Sequence, residues 1–202
     1  MAYLHVCINV APGANVDNNR IQRDLFLSHD IWYPISFHIK KIIILDQTFR
    51  FHDQEISYST PFRQQPKVWR LLENYKLACP SASLYITYVG GNYFKEPHVI
   101  GCAYSEASGL LWKGHIFITN TAASVSNKLT LAHEIGHILL TQRKNGVLTN
   151  VDPHSNTGSQ HHPSPKNLMH PVVPSLPHTD QRQHLLTEEQ RFIASQSPLL
   201  FG

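Results

Sequence analysis

No stretch of the 202-residue chain approaches the ~20 consecutive apolar residues that a membrane-crossing helix needs, so a transmembrane helix is not expected. The start, Met1-Ala2-Tyr3-Leu4-His5-Val6, lacks a basic stretch followed by an apolar run and a small-residue cleavage site, and does not read as a secretory signal. The expectation is a cytosolic protein, one exported by a non-classical or specialised route, or one whose leader has been removed. Basic clusters are missing as well. The formal charge is +3 with His neutral, and the 17 Lys and Arg residues are scattered, Lys40-Lys41 being among the densest groups. That argues against a nucleic-acid groove or a polybasic membrane patch, and a monomer with neither partner is expected. Cysteine is scarce: Cys7, Cys79 and Cys102 lie far apart, without metal-type spacing. An odd number in a chain this long does not suggest a disulfide framework. Their apolar surroundings make them small buried hydrophobes. Only two methionines occur, Met1 and Met169.

Histidine is what the chain has in excess. There are 14, and eight fall from residue 133 onward: His133, His137, His154, His161, His162, His170, His178 and His184. Imidazole is the commonest metal ligand, so this bias points to a metal site. With 42% hydrophobic residues the chain can build a sizeable core, and its length suits one domain, 1–202.

The order of elements starts β-α-β. Tyr3 to Val10 is apolar and β-rich and ends at Pro12-Gly13. Asn18 to Trp32 carries a helical stripe of Ile21, Leu25, Phe26 and Ile31, stopped by Pro34. Ile35 to Leu45 is dense in β-branched residues and reads as a second, buried strand. Val68 to Leu77 reads as a short helix, and Leu84 to Val89 as a strand closed by Gly90-Gly91. Ile100 to Tyr104 and His115 to Thr119 read as two strands able to pair as a hairpin. A helix follows from about Lys128 to Arg143, with Ser126-Asn127 as N-cap and Asn145-Gly146 as stop. Residues 147–183 lack any period. Thr187-Glu188-Glu189-Gln190 is a capping box that opens a C-terminal helix expected to bury Phe192 and Ile193.

The chemistry concentrates in Thr130-Leu131-Ala132-His133-Glu134-Ile135-Gly136-His137-Ile138-Leu139-Leu140. Residues four apart share one helix face, so His133 and His137 can reach one ion. Glu134 sits beside them as a candidate general base for water attacking a carbonyl. The flanking residues are apolar, and two imidazoles with a carboxylate are costly to bury unless a metal joins them. A catalytic zinc needs a third protein ligand.

Together with Asn167-Leu168-Met169-His170-Pro171, these residues resemble the metzincin clan of zinc metallopeptidases. That clan has two His on an active-site helix, a third His or Asp downstream, and a tight turn placing a Met under the metal. The resemblance implies an α+β, metzincin-like (zincin) domain with a mixed, mostly parallel twisted sheet. An N-terminal subdomain, 1–140, would end in the active-site helix. A C-terminal subdomain, 141–202, would hold the His-rich loop, the Met-turn with Met169 as hydrophobic floor, and the final helix. It also implies one catalytic Zn2+ and a protein or peptide substrate, bound along an edge strand that either of the two hairpin strands could supply. His170 lies where some members place an oxyanion-stabilising Tyr, but a solvated loop His explains it as well. His178 and His184 read as surface residues.

The chain departs from the clan where its long motif continues x-x-G-x-x-H after the second His. Those positions hold Leu140 and Arg143. The third ligand must come from farther along. His161 precedes Met169 by eight residues, as in matrix metalloproteinases, and is the first candidate. His154, His162 and Asp152 remain open. Two other readings stand beside this one. A zincin of another clan would take Glu188 or Glu189 as an acidic third ligand. A non-catalytic zinc-stabilised binding module would close the metal shell completely.

Overall fold

Alternation along the first strand sets up two cores. The computed structural model describes residues 2–175, 182 and 184–202. Strand β1 (Tyr3–Val10) sends Leu4, Val6 and Ile8 to one face of the sheet and Cys7 to the other. The first face is covered by helix α1 (Asn18–Trp32), whose Ile21, Leu25, Ile31 and Trp32 pack against it. The second is covered by helix α2 (Pro66–Ala78), through Val68, Leu71, Leu72 and Tyr75. Asp17 caps α1, its carboxylate accepting from the Arg20 amide at 2.7 Å.

The main sheet has five strands. Strands β2 (Ser36–Ile44), β3 (Leu84–Tyr88), β4 (Gly101–Ser108) and β5 (Leu111–Ile118) join β1 in the order β2-β1-β3-β5-β4. All pairs are parallel except β4 with β5, which form the expected hairpin. The fold is therefore a mixed α/β arrangement with a mostly parallel sheet. Among the described residues no helix is long and apolar enough to cross a membrane. All three cysteines are buried free thiols.

Four expectations are corrected. β2 is not a buried strand. It lies at the sheet edge, with Ile39 and Ile42 each 44% exposed and Ile44 75% exposed. Its β-branched run dictates a strand but not a central place. Helix α3 spans Thr130–Leu139 and stops well short of Arg143. Asn145 and Gly146, at φ 51° and 80°, turn a small hairpin of β6 (Gln142–Lys144) and β7 (Val147–Thr149). The start differs too: Ser126 and Asn127, expected as the N-cap, lie in a turn of 3-10 helix, Val125–Asn127, and Leu129, with no capping side chain, precedes α3. Helix α4 (Glu188–Ser195) keeps its capping box, but Phe192 is 68% exposed. Gln190 and Ala194, four apart, face inward, and that phase turns Phe192 outward. His184 is exposed as expected, and His178 lies outside the described residues.

The edge strand β4 is tied to α2 by charge. Lys76 Nζ lies 3.0 Å from Glu106 Oε1, and buried His115 Nε2 lies 3.2 Å from the same oxygen. The Tyr75 hydroxyl meets the other ring nitrogen of His115 at 2.8 Å. Partial burial opposes ionisation of Glu106, but His115 and Lys76 outweigh it and hold the carboxyl at about 2, below its ordinary 4.5. A depressed carboxyl stabilises the fold above its unfolded value, and that contribution is lost as pH falls toward the folded one. Glu106→Gln is therefore expected to cost about 1–2 kcal/mol at neutral pH, after allowance for solvent screening. It should also flatten the loss of stability between pH 4.5 and about 2, read by urea unfolding across that range. An unchanged acid slope would remove Glu106 from this role.

Candidate metal centre

All ten residues of α3 are buried, because the helix lies between the sheet and the C-terminal segment. Trp32 of α1 fixes it from one side, its indole Nε1 donating to the Ala132 carbonyl oxygen at 2.9 Å. One helical turn separates His133 from His137, and their Nε2 atoms lie 3.0 Å apart. His161 comes in from the irregular segment, its ring 5.6 Å from that of His133 and 5.0 Å from that of His137. Ligating atoms of the three imidazoles lie within 4.8 Å of one another, close enough to hold a metal ion.

The protonation pattern fits a metal. His133 Nδ1 lies 2.7 Å from the Leu168 carbonyl oxygen, so it carries the proton and leaves Nε2 with a lone pair. Among the described residues, buried His137 Nδ1 has no hydrogen-bond partner. Burial lowers the imidazole pKa of all three histidines, to about 4 at His133, and keeps the rings neutral as ligation requires. Neutral rings whose Nε2 atoms converge need a shared cation or proton. Tetrahedral zinc with Zn–N bonds of about 2.0–2.1 Å spaces its nitrogens roughly 3.3 Å apart.

Glu134 lies on the same turn, and burial pushes its carboxyl up to about 8. It touches β4: a Cβ on Gly101 would come within 2.6 Å of Glu134 Oε1. Gly101 is thus required by the close approach of strand and carboxylate. No local pattern in the sequence marked it.

The other candidates are held elsewhere. Asp152 is buried, but its oxygens accept from the His154 amide at 2.9 Å and from Gln190 Nε2 at 2.6 Å. His154 Nε2 faces Thr187 Oγ1 at 3.0 Å. His162 accepts from the Ser164 amide through Nδ1 at 3.0 Å. Glu188 and Glu189 are exposed in the first turn of α4. His170 Nδ1 bonds locally to Val172. None of these joins the imidazole trio among the described residues.

Gln190, legible only as a capping residue, sets the path of the segment. Its side chain is fully buried. It accepts from the Thr187 amide and Asn167 Nδ2, each at 2.9 Å. Its amide nitrogen reaches Asp152 and Asn167. Asn167 Oδ1 in turn accepts from the Met169 amide at 2.8 Å. This network seats Met169, fully buried, against Gly136.

Two cavities meet at the trio. One is lined by Tyr58, Val99, Thr130, Pro171 and Val173, the other by Pro61, Phe62, Thr141 and Leu148. They share Ala103, His137 and Gln160, so one groove runs between β4 and α3 past the imidazoles. β4, not β5, is the edge strand beside it.

Gly136 offers a direct test of the packing below the trio. A Cβ there would overlap Met169 Sδ and come within 2.9 Å of Trp32 Cζ2. Gly136→Ala is expected to cost about 1–3 kcal/mol by overpacking. It should also weaken metal binding, measured by thermal unfolding and by metal content after dialysis. A variant with unaltered stability and metal content would refute the close contact.

No protein-family model and no curated protein matches the sequence. Among solved structures, metalloproteinase-II from Bacteroides fragilis superposes with a TM-score of 0.59 at 14% identity, over 97% of this chain and 53% of that one. A chain from a chaperone-substrate complex superposes with a TM-score of 0.41 at 14% identity, over 96% of this chain and 35% of that one. This chain thus spans about half the length of the Bacteroides fragilis structure. Its mixed α/β fold is compatible with that of a metalloproteinase, and three of its histidines are grouped so that they could hold a metal ion.

Proposed function

We propose that this chain is a zinc-dependent peptidase of metzincin-like build, a single domain over 1–202. Residues 1–140 would form its N-terminal part and 141–202 its C-terminal part. The observation that carries the reading is the imidazole trio with a buried carboxylate beside it, opening on a groove. His133, His137 and His161 are the metal ligands. Met169 is the hydrophobic floor of a Met-turn formed by residues 167–171. The likeness of fold to a metalloproteinase supports the reading, as does the neutral-nitrogen donor set, which suits zinc.

Zinc held by His133, His137 and His161 would supply Lewis-acid charge that acidifies water and polarises a carbonyl. Glu134 does the proton work. Desolvation alone keeps it protonated, whereas a nearby dication favours its carboxylate. As carboxylate it takes the proton from attacking water and returns it to the leaving amine. Leu168 keeps the proton of His133 on Nδ1 and leaves its Nε2 free to bind an ion shared with His137 and His161. A closed structural site needs a fourth protein donor, and the group has three members among the described residues.

Glu134→Gln is expected to keep one zinc per chain and to lose about 10²–10⁴ in kcat on peptide substrates. His161→Ala should lose the metal, whereas His154→Ala and His162→Ala should keep it. Metal analysis and peptide hydrolysis check both statements. Full activity in zinc-replete Glu134→Gln would end the mechanism, and full zinc content in His161→Ala would end the ligand assignment.

A further inference from the structure

One loop supplies the upper wall of the groove on both sides of the trio. Tyr58 lines the first half, and Pro61 with Phe62 the second. Between Ile56 and the turn Phe62–Gln64 the chain has no regular structure, and Tyr58 is 47% exposed. Such a loop is ordinarily mobile. This one is fastened at three points.

Glu96, just ahead of β4, accepts from the Tyr58 amide at 3.1 Å and the Ser59 amide at 3.2 Å, and from the hydroxyls of Ser57 and Ser59. Gln65 accepts from the Ser57 amide at 2.9 Å and donates to the carbonyl oxygens of Ser57 and Thr60, both at 2.7 Å. The Tyr104 hydroxyl of β4 donates to the Ser57 carbonyl oxygen. Partial burial works against the Glu96 carboxylate, yet the donors from Ser57, Ser59 and Tyr58 hold it at about 2. The fastening groups spend their polar atoms on the loop backbone and serines. The exposed Tyr58 ring is left to the groove, while Phe62 is braced from behind by Trp69, Tyr104 and His115, with ring centroids 5.9, 5.3 and 6.0 Å away, and shows the groove its remaining surface.

The lining is also nearly free of charge. Among the described residues it includes no Lys, Arg or Asp, and Glu134 is its one acidic side chain. Apolar surfaces such as Val99, Val173, Phe62 and Leu148 face the space where a peptide would lie.

We propose that the 57–62 loop is the specificity wall of this groove. Tyr58 and Phe62 pack uncharged, apolar side chains of a peptide on either side of the bond to be cut, and Glu96 is the positioning residue that holds the wall in place. The inference rests on the peptidase reading and is tested apart from it. Zinc-loaded Glu134→Gln protein is immobilised and exposed to a randomised decapeptide library, and the retained peptides are sequenced. Wild type is offered the same library, and its cleavage products are sequenced in parallel.

The retained and cleaved peptides should be enriched in apolar residues and depleted of charged ones. Adding Tyr58→Ala should weaken binding of the selected peptides about five- to tenfold and relax the preference on one side of the bond. Tyr58→Phe in its place should restore both. In the wild-type background Tyr58→Ala should raise KM by a similar factor with kcat little changed. Glu96→Gln should speed amide hydrogen exchange at residues 57–60 and raise KM in the same way. Affinity and sequence preference unmoved by Tyr58→Ala would overturn the wall while peptide cleavage upheld the peptidase. Exchange at 57–60 unaltered in Glu96→Gln would overturn the positioning role. Peptides neither bound nor cut would overturn both readings.

Discussion

The hydrogen bond from His133 Nδ1 to the Leu168 carbonyl oxygen is the constraint on which the centre depends. It joins a side chain of a buried helix to the backbone of a segment with no regular structure. It settles a tautomer, and the tautomer settles which nitrogen faces the other imidazoles. The bond exists only if residue 168 is delivered to the underside of α3. Helix α4 does this through Gln190, which holds Asp152 and Asn167 from one buried side chain. A half-satisfied buried network of this kind costs more than an apolar one. Backbone bonds from Leu168 to Leu185, at 2.7 Å, and from His162 to Met169, at 2.9 Å, hold the same segment alongside that network.

The close approach of elements imposes a second constraint. α3 carries no capping side chain and little polar surface to anchor it. Its place is set by what lies against it: the Trp32 indole, Met169 beneath Gly136, and β4 against Glu134 through Gly101. Two absent side chains, at residues 101 and 136, thus matter as much to the geometry as the groups that are present.

Much of the frame was legible because it follows from periodicity. The apolar residues of α1 with Pro34 behind them predict its bounds, 18 and 32, although Phe26, read as part of the buried stripe, is 64% exposed and Leu27 packs inward in its place. The apolar, β-rich runs of β1 and β3 predict strands where they occur. His133 and His137 were legible as a pair from their spacing alone. The order of His161 ahead of His154 and His162 followed from its distance to Met169, and the structure brings His161 to the pair. Other features were not legible because one local signal serves two structures. Asn145-Gly146 can stop a helix or turn a hairpin, and tertiary context chose the hairpin. A β-branched run cannot tell a central strand from an edge, hence the exposure of β2. The burial of Asp152 and the need for glycine at 101 depend on residues distant in sequence, and no window of the chain contains them.

The two ends of the sheet differ in kind. The β4 edge lies beside the groove, with a clamped loop alongside and a nearly uncharged lining. The β2 edge is bare. It exposes isoleucine, yet places Lys40 and Lys41 side by side at mid-strand. Lys41 reaches the Ala78 carbonyl oxygen at the end of α2, at 3.2 Å, and charged residues on an edge strand discourage edge-to-edge pairing. The two edges of one sheet thus present different chemistry to their surroundings: the nearly uncharged groove beside β4 and the lysine-bearing isoleucine run of β2.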